Sequence, residues 1–236
     1  MTTMNQTFNE ETWVSDIVSQ QPRTGDLFRE LRIDFCCGGK MPIKQAAEER
    51  GLDTAEVLRR IEEIGQQVTQ HQEMKPNSLE PQELIAHIQR KYHETLRQEL
   101  PALTPYVTKL ARVHGGHRPY LLRVQEIFSL LKKELLEHTQ DEDQHVFPLL
   151  AAYFQNPSAE TAEALAPHLS ELESEHEQAG ELLKELREIT GDFVPPMDAC
   201  GTHRLVLSRL EALEKDTFEH IHMENNILFD QARKAI

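Results

Sequence analysis

Cysteine is scarce in this 236-residue chain: Cys36, Cys37 and Cys200 are all there is. An odd number, with two of them adjacent, excludes a disulfide framework and agrees with a reducing compartment. Basic charge is also short, with 25 Lys and Arg against 40 acidic residues and a formal charge of −15. Such a surface repels phosphate backbones and the chain has no basic run, so nucleic acid is excluded as a partner class. No apolar stretch approaches the roughly 20 residues that span a bilayer, which excludes a membrane helix. The first residues, MTTMNQTFNEETW, lack the basic and apolar regions of a signal peptide, and a cytoplasmic location is expected. Aromatics are 6%, and the 10 glycines and 12 prolines cluster, so they read as punctuation between long helices. Leu, Glu, Ala, Gln and Arg dominate what is there, and these are good helix formers. The expected class is all-α.

Two parts separate near residues 66–80, where apolar periodicity is lost and Pro76 and Pro81 occur. Residues 1–70 read as a small helical module, with helices over 12–20, from Pro22 to Leu31, after Pro42, and from an Asp53 cap to Ile64. Between the second and third lies the turn DFCCGGK. So short a segment buries little surface alone, so it is expected to dock on a partner or a second copy, making a homodimer reasonable. Residues 78–236 hold four long helical patterns, near 80–111, 119–153, 158–190 and 198–233. The short connections HGGHRP, FQNPS and TGDFVPPMD imply antiparallel neighbours, an up-down four-helix bundle. Ser78 is the expected N-cap of the first, with Pro81 in its first turn. Pro101, Pro105 and Pro148 are expected to kink or end their helices.

The second and fourth patterns repeat one motif. EHTQDEDQHVF (137–147) and EHIHMENNILF (219–229) both read Glu-His-x-x-x-Glu-x-x-x-x-Phe, matching His138 with His220, Glu142 with Glu224 and Phe147 with Phe229. The first and third patterns each carry one His-Glu pair, at His93 and His176. Residues four apart share a helix face. That face is apolar: Leu131, Leu135, Val146 and Leu149 flank the second motif, and Leu210, Leu213 and Ile227 the fourth. His93 continues to Leu96, Leu100 and Leu103, and His176 sits among Leu165, Leu169, Leu172 and Leu183. Unpaired carboxylates in a core cost several kcal/mol each, and two beside four imidazoles are best explained by shared cations. A lone His-x-x-x-Glu is usually an exposed pair; four coordinated interruptions of a core seam are not.

The set is nitrogen and oxygen only. Cys200 lies 20 residues before His220, about 30 Å along a helix, and reads as a small residue in a first turn. Imidazole with carboxylate suits iron, manganese or zinc, and six ligands are too many for one zinc but fit two metals. If Glu142 and Glu224 both bridge, each metal has two histidines and two carboxylate oxygens; an oxide or hydroxide bridge then leaves one position open. His222 falls on another face, the repeat counterpart of His145 is Ile227, and His114 and His117 flank a glycine turn, so none of these is expected to ligate.

DFCCGGK, the YHE at 92–94, EHTQDEDQHVFP, ESEHEQAGELL at 173–183 and EHIHMENNILF together resemble a known family. The bundle resembles hemerythrin-like domains, and nearly the whole chain resembles the repair-of-iron-centres family of di-iron proteins. The resemblance implies two non-haem irons on His93, His138, Glu142, His176, His220 and Glu224, with Glu134 and Glu175 as carboxylates behind the ligands or along a channel. Oxygen-carrying hemerythrins place a second histidine one turn after the first on the third helix; here that position is Gly180, which favours small-molecule reactivity or iron release over oxygen carriage. The implied function is stress-responsive restoration of iron–sulfur proteins damaged by nitric oxide or peroxide, by supplying iron. Cys36 and Cys37 then receive or relay iron or make redox contact with a client; the bland alternative is a buried small-residue turn. A nitric oxide reductase, or a sensor or store that binds oxygen, nitric oxide or iron, is the alternative.

Overall fold

The computed structural model describes residues 8–67 and 76–234. The N-terminal module holds α1 (Val14–Gln20), α2 (Thr24–Glu30), α3 (Ile43–Glu49) and α4 (Thr54–Gln67). Asp53 caps α4 as expected, its Oδ1 accepting the Ala55 N–H at 3.0 Å. Between α2 and α3 the Cys-Cys turn is wound around Asp34, whose Oδ1 accepts the N–H groups of Cys36, Cys37 and Gly38 at 3.0–3.1 Å. Gly39 is obligatory there, because a Cβ would meet the Phe35 carbonyl oxygen at 2.4 Å.

The bundle follows. Its first helix is α5 (Pro81–Ile88), a π-turn (Gln89–His93) and α6 (Glu94–His114). Its second is α7 (Tyr120–Asp141), a π-turn (Glu142–Val146) and α8 (Phe147–Gln155). The third is the uninterrupted α9 (Ala159–Ile189). The fourth is α10 (Gly201–Met223), a π-turn (Glu224–Leu228) and α11 (Phe229–Lys234). α6 packs on α7, α7 on α9, and α10 closes against both α9 and α6.

Three local expectations are corrected. Glu80, not Ser78, caps the first helix: its N–H reaches the Glu83 carboxylate at 3.3 Å, and Pro81 takes the first helical position, where a missing N–H costs nothing. Neither Pro101 nor Pro105 ends α6, and Pro148 sits harmlessly in the first turn of α8. Leu149, placed by simple periodicity on the core face, is 44% exposed, and Leu150 is buried instead. The cause is the π-turn: one residue added to a turn advances everything after it by one position.

The module does not need a partner or second copy to cover its apolar side. Its Val14, Ile17, Phe28, Phe35 and Ile61 share one core with Leu135, Leu183, Leu210 and Phe218 of the bundle. Phe35 stands edge-on to Phe218 with ring centroids 6.3 Å apart. Wholly buried Glu214 ties the two parts, gripped by Arg187 and reached by Arg29 of α2 at 3.4 Å.

A second apolar cluster, including Ile88, Tyr92, Val146, Phe147, Leu172, Ile227 and Phe229, fills the other end of the bundle. On each helix the polar motif falls between the two clusters: His93 between Tyr92 and Leu96, His138 and Glu142 between Leu135 and Val146, His176 between Leu172 and Ala179. The fold thus makes a polar band across the middle of a divided core.

Candidate metal centre

The three π-turns are all in this band. In each the closing bond runs from residue i+5 to residue i: Glu94 N–H to Gln89, Phe147 N–H to Glu142, and Phe229 N–H to Glu224. The repeat spacing Glu-x-x-x-x-Phe is therefore the span of a π-turn that begins at each glutamate. Single π-turns inside α-helices frequently mark functional sites, because the extra residue turns inward a side chain that regular geometry would aim elsewhere.

All six residues converge. The Nε2 atoms of His93 and His220 are 3.0 Å apart, and those of His138 and His176 2.9 Å. Glu142 Oε2 lies 3.4 Å from His93 Nε2 and 3.3 Å from His138 Nε2. Glu224 Oε1 lies 2.7 Å from His220 Nε2 while its Oε2 lies 3.1 Å from His176 Nε2. Two four-residue groups result, His93–Glu142–His220–Glu224 and His138–Glu142–His176–Glu224, and both carboxylates belong to both.

The outward nitrogens explain the tautomers. His93 Nδ1–H donates to Asp143 at 2.9 Å, His138 Nδ1–H to Glu175 at 2.6 Å and His176 Nδ1–H to Asn225 at 2.8 Å. With those hydrogens outside, the Nε2 atoms present lone pairs to one another. Two nitrogens about 2.1 Å from one ion and at right angles to each other lie about 3.0 Å apart, so each imidazole pair has the spacing of two ligands on one metal. Both oxygens of Glu142 and Oε2 of Glu224 are buried with no hydrogen-bond donor among the described residues. The protein alone leaves this site charged and unsatisfied, and cations satisfy it.

Titration behaviour follows. Burial, reinforced by the charge of Glu224, pushes the Glu142 carboxyl well above the carboxylate range. Burial acts on Glu224 in the same direction, but His220, His176 and His93 around it prevail and hold it well below. Burial takes His220 down to about 4 and lowers His138. Burial acts on His93 in the same direction, but its bonds with Asp143 and Glu224 prevail and raise it.

Residues 84–232 match the hemerythrin HHE cation-binding domain, and residues 10–65 match the ScdA N-terminal domain, a domain of unknown function (DUF542). The chain belongs to the hemerythrin HHE family. Its relatives include the iron-sulfur cluster repair protein ScdA of Staphylococcus haemolyticus, 39% identical over 94% of this chain and 97% of the relative. ScdA of Staphylococcus epidermidis is 38% identical over 93% and 97%, and the iron-sulfur cluster repair protein YtfE of Escherichia coli is 34% identical over 89% and 91%. Membership of the HHE family makes this an iron-binding chain.

Three residues of this HHE site escaped the motif reading. Asp143 and Asn225 each follow a repeat glutamate, and each anchors the single histidine of a neighbouring helix. Phe147 and Phe229 stack on the same two histidines, with centroids 5.4 and 6.3 Å away. Tyr92 stacks on His220 at 5.4 Å, beside the only one of the four site histidines' Nδ1 atoms that has no partner among the described residues. Their matched repeat positions were the available signal for Asp143 and Asn225; nothing local distinguishes Tyr92.

The remaining expected residues fall as follows. Glu134 and Glu175 both line a cleft of about 390 Å³ whose floor is His138 and His176. His145 is exposed and pairs with Asp141, and Cys200 is exposed with its Sγ 3.5 Å from His114. His222 is buried but leaves the centre, linking Ser19 at 3.1 Å to the Phe35 carbonyl at 3.1 Å. Cys36 is buried and Cys37 half-buried, their sulfurs 3.7 Å apart. The hydrogen bond that Cys36 donates to Cys37, burial and the charge of Asp34 together push the Cys36 thiol well above its ordinary value. Cys37 packs where Gly180 leaves room, its Sγ 3.9 Å from the place of a Cβ.

Proposed function

We propose that this chain is a cytoplasmic di-iron protein that restores iron–sulfur clusters damaged by oxidative or nitrosative stress, by supplying iron to client proteins. The observation that carries it is the sharing of both carboxylates between two histidine pairs, which provides for two ions rather than one. His93 and His220 would hold one iron, His138 and His176 the other, and Glu142 and Glu224 would bridge them. Iron so held supplies a redox-active, exchangeable cation. Asp143, Glu175 and Asn225 keep the ring N–H groups outside, so each Nε2 lone pair stays aimed at the site. Phe147, Tyr92 and the apolar core shield the His93–His220 side from bulk water. The donor set lacks thiolate, so it should hold ferrous iron less tenaciously than a thiolate cluster site does, as a donor must. The names of the full-length relatives support this reading.

Iron analysis tests the centre. Wild type should carry iron at both sites, and Glu142→Ala, which removes a ligand common to both, should lose one or both ions. A Glu142→Ala variant with undiminished iron sinks the shared-carboxylate reading. Function is tested by incubating ferrous protein with an apo-cluster enzyme and sulfide. Recovery of cluster without steady consumption of nitric oxide supports iron supply; sustained nitric oxide turnover with a reductant and no iron transfer assigns the chain to nitric oxide reduction instead.

A further inference from the structure

The π-turn Glu224–Leu228 has a second set of contacts that the metal centre does not use. Glu224 points into the centre and Asn225 holds His176 at 2.8 Å. Asn226, next in the chain, turns the opposite way and donates its amide to the Cys36 carbonyl at 2.8 Å. It also lies 3.4 Å from the Phe35 carbonyl and 3.3 Å from His222 Nδ1, so it reaches both carbonyls that lead into the Cys-Cys turn. Three consecutive residues of one irregular turn thus hold a metal-site carboxylate, a metal-site histidine and the backbone of the two thiols.

We infer that Asn226 is a positioning residue that ties the accessibility of the Cys36–Cys37 thiols to occupancy of the metal centre. The inference rests on the metal-binding reading above. Successive residues of an α-helix are about 100° apart, and a π-turn holds one residue more than the regular turn. If it relaxes to α, every later residue rotates and Asn226 swings off the Cys36 carbonyl. Iron across Glu224 and His176 keeps the turn in its present form. Removal of iron leaves two carboxylates buried side by side with nothing between them, and the turn is the irregular element able to yield. The cysteine turn is otherwise secured to α9 by Lys184, which bonds Asp34 Oδ2 at 3.1 Å. Cys36 is thereby kept buried and Cys37 half-buried while iron is held, and both become more accessible once it has left. Reciprocity requires that anything seating the turn also favours iron.

The test measures thiol alkylation, not activity, in a Cys200→Ser background that removes the exposed third thiol. Full-length protein, loaded anaerobically with iron(II) or stripped with chelator, is treated with a maleimide, and adducts on Cys36 and Cys37 are followed by mass spectrometry. Iron should slow modification by about tenfold, the factor that one buried hydrogen bond commonly carries. In Asn226→Ala the loaded and stripped forms should react at the same, faster rate. Lys184→Gln should speed both forms while keeping their ratio, because it loosens the turn without touching the π-turn. Weakened iron uptake by Asn226→Ala with helix content intact is the same coupling seen from the other site and supports it. An iron-dependent ratio that survives in Asn226→Ala overturns the inference. So does fully iron-loaded parent protein that reacts no more slowly than stripped protein, an outcome that leaves the metal reading standing. Failure of the parent to take up iron removes both.

Discussion

Replacing Asp143 with alanine should weaken iron binding without removing any ligand. Asp143 Oδ1 accepts from His93 Nδ1 at 2.9 Å and from Gln89 at 2.8 Å, and its other oxygen is gripped by Arg97. Burial opposes the charge on this carboxyl, but the bonds from His93, Arg97 and Gln89 prevail and hold it far below its ordinary range. The anion fixes the ring of His93 and raises the basicity of its Nε2. Loss of such a support typically costs about 10–100-fold in metal affinity, or about 1.4–2.7 kcal/mol. The protein supplies its own control, since the matched repeat position is Asn225, a neutral acceptor doing the same for His176 at 2.8 Å. Asp143→Asn should therefore keep the ring oriented and lose less than about tenfold. Arg97→Ala isolates the ion pair from the histidine contact. Competition against a chelator of known iron(II) affinity, under anaerobic conditions, reads all three. Alanine within about twofold of wild type refutes the idea that Asp143 supports His93, given how large such losses usually are. Asparagine as weak as alanine refutes orientation as the cause.

Two further outcomes follow from the module's seat on the bundle. Glu214 is wholly buried between Arg187 and Arg29, and Glu214→Ala would leave Arg187 to Asp192 at 3.1 Å and Arg29 to Glu211 at 3.6 Å; it should cost about 1.5–3 kcal/mol, read as a loss of chemical-denaturation stability. A loss below about 1 kcal/mol would show that the pair is solvated and does not fasten the module. The second concerns acid. Burial would raise the Asp34 carboxyl, but Lys184 and the Gly38 N–H prevail and hold it below its ordinary 3.8. A depressed carboxyl stabilises the fold above its unfolded value and loses that contribution as pH falls through the folded one. The advantage of wild type over Asp34→Asn should be full at pH 7 and shrink below about pH 4; a constant difference across that range would contradict it.

The all-α class, the four-helix bundle and the convergence of His93, His138, Glu142, His176, His220 and Glu224 were readable because they depend on period and repetition. Polar residues of one chemical type interrupted the apolar seam on all four long helices, and burial makes such interruptions costly unless they meet. What could not be read depended on departures from period. Leu149 falls on the core face by simple period because a π-turn carries no residue signature that differs from helix. The module's seat was misjudged for another reason: its apolar surface was evident, but its complement on Leu183, Leu210 and Phe218 is indistinguishable in sequence from ordinary bundle core. His222 shows the limit most clearly. Two residues from His220 it lies on a different face, as expected, yet it is buried and bonded to the module.

The internal repeat makes two half-sites of like construction, and what surrounds them makes the halves unequal. His93 and Phe147 in one half match His176 and Phe229 in the other, with Asp143 and Asn225 as their supports. On the His93–His220 side, Tyr92 closes over His220 and Phe147 over His93, and both rings are only 2% exposed. On the His138–His176 side the cover is incomplete. The cleft lined by Glu134, Glu137, Asp141, Glu171 and Glu175 descends to both histidines, and its acidic walls suit passage of a cation. Gly180 belongs to this same side, one turn beyond His176, and the volume its side chain would fill is approached by Cys37 rather than by a seventh ligand. A carrier that must keep oxygen reversibly gains from equal enclosure of both ions. An iron donor would gain from the opposite: one half-site closed behind aromatic rings, and the other facing an acidic cleft.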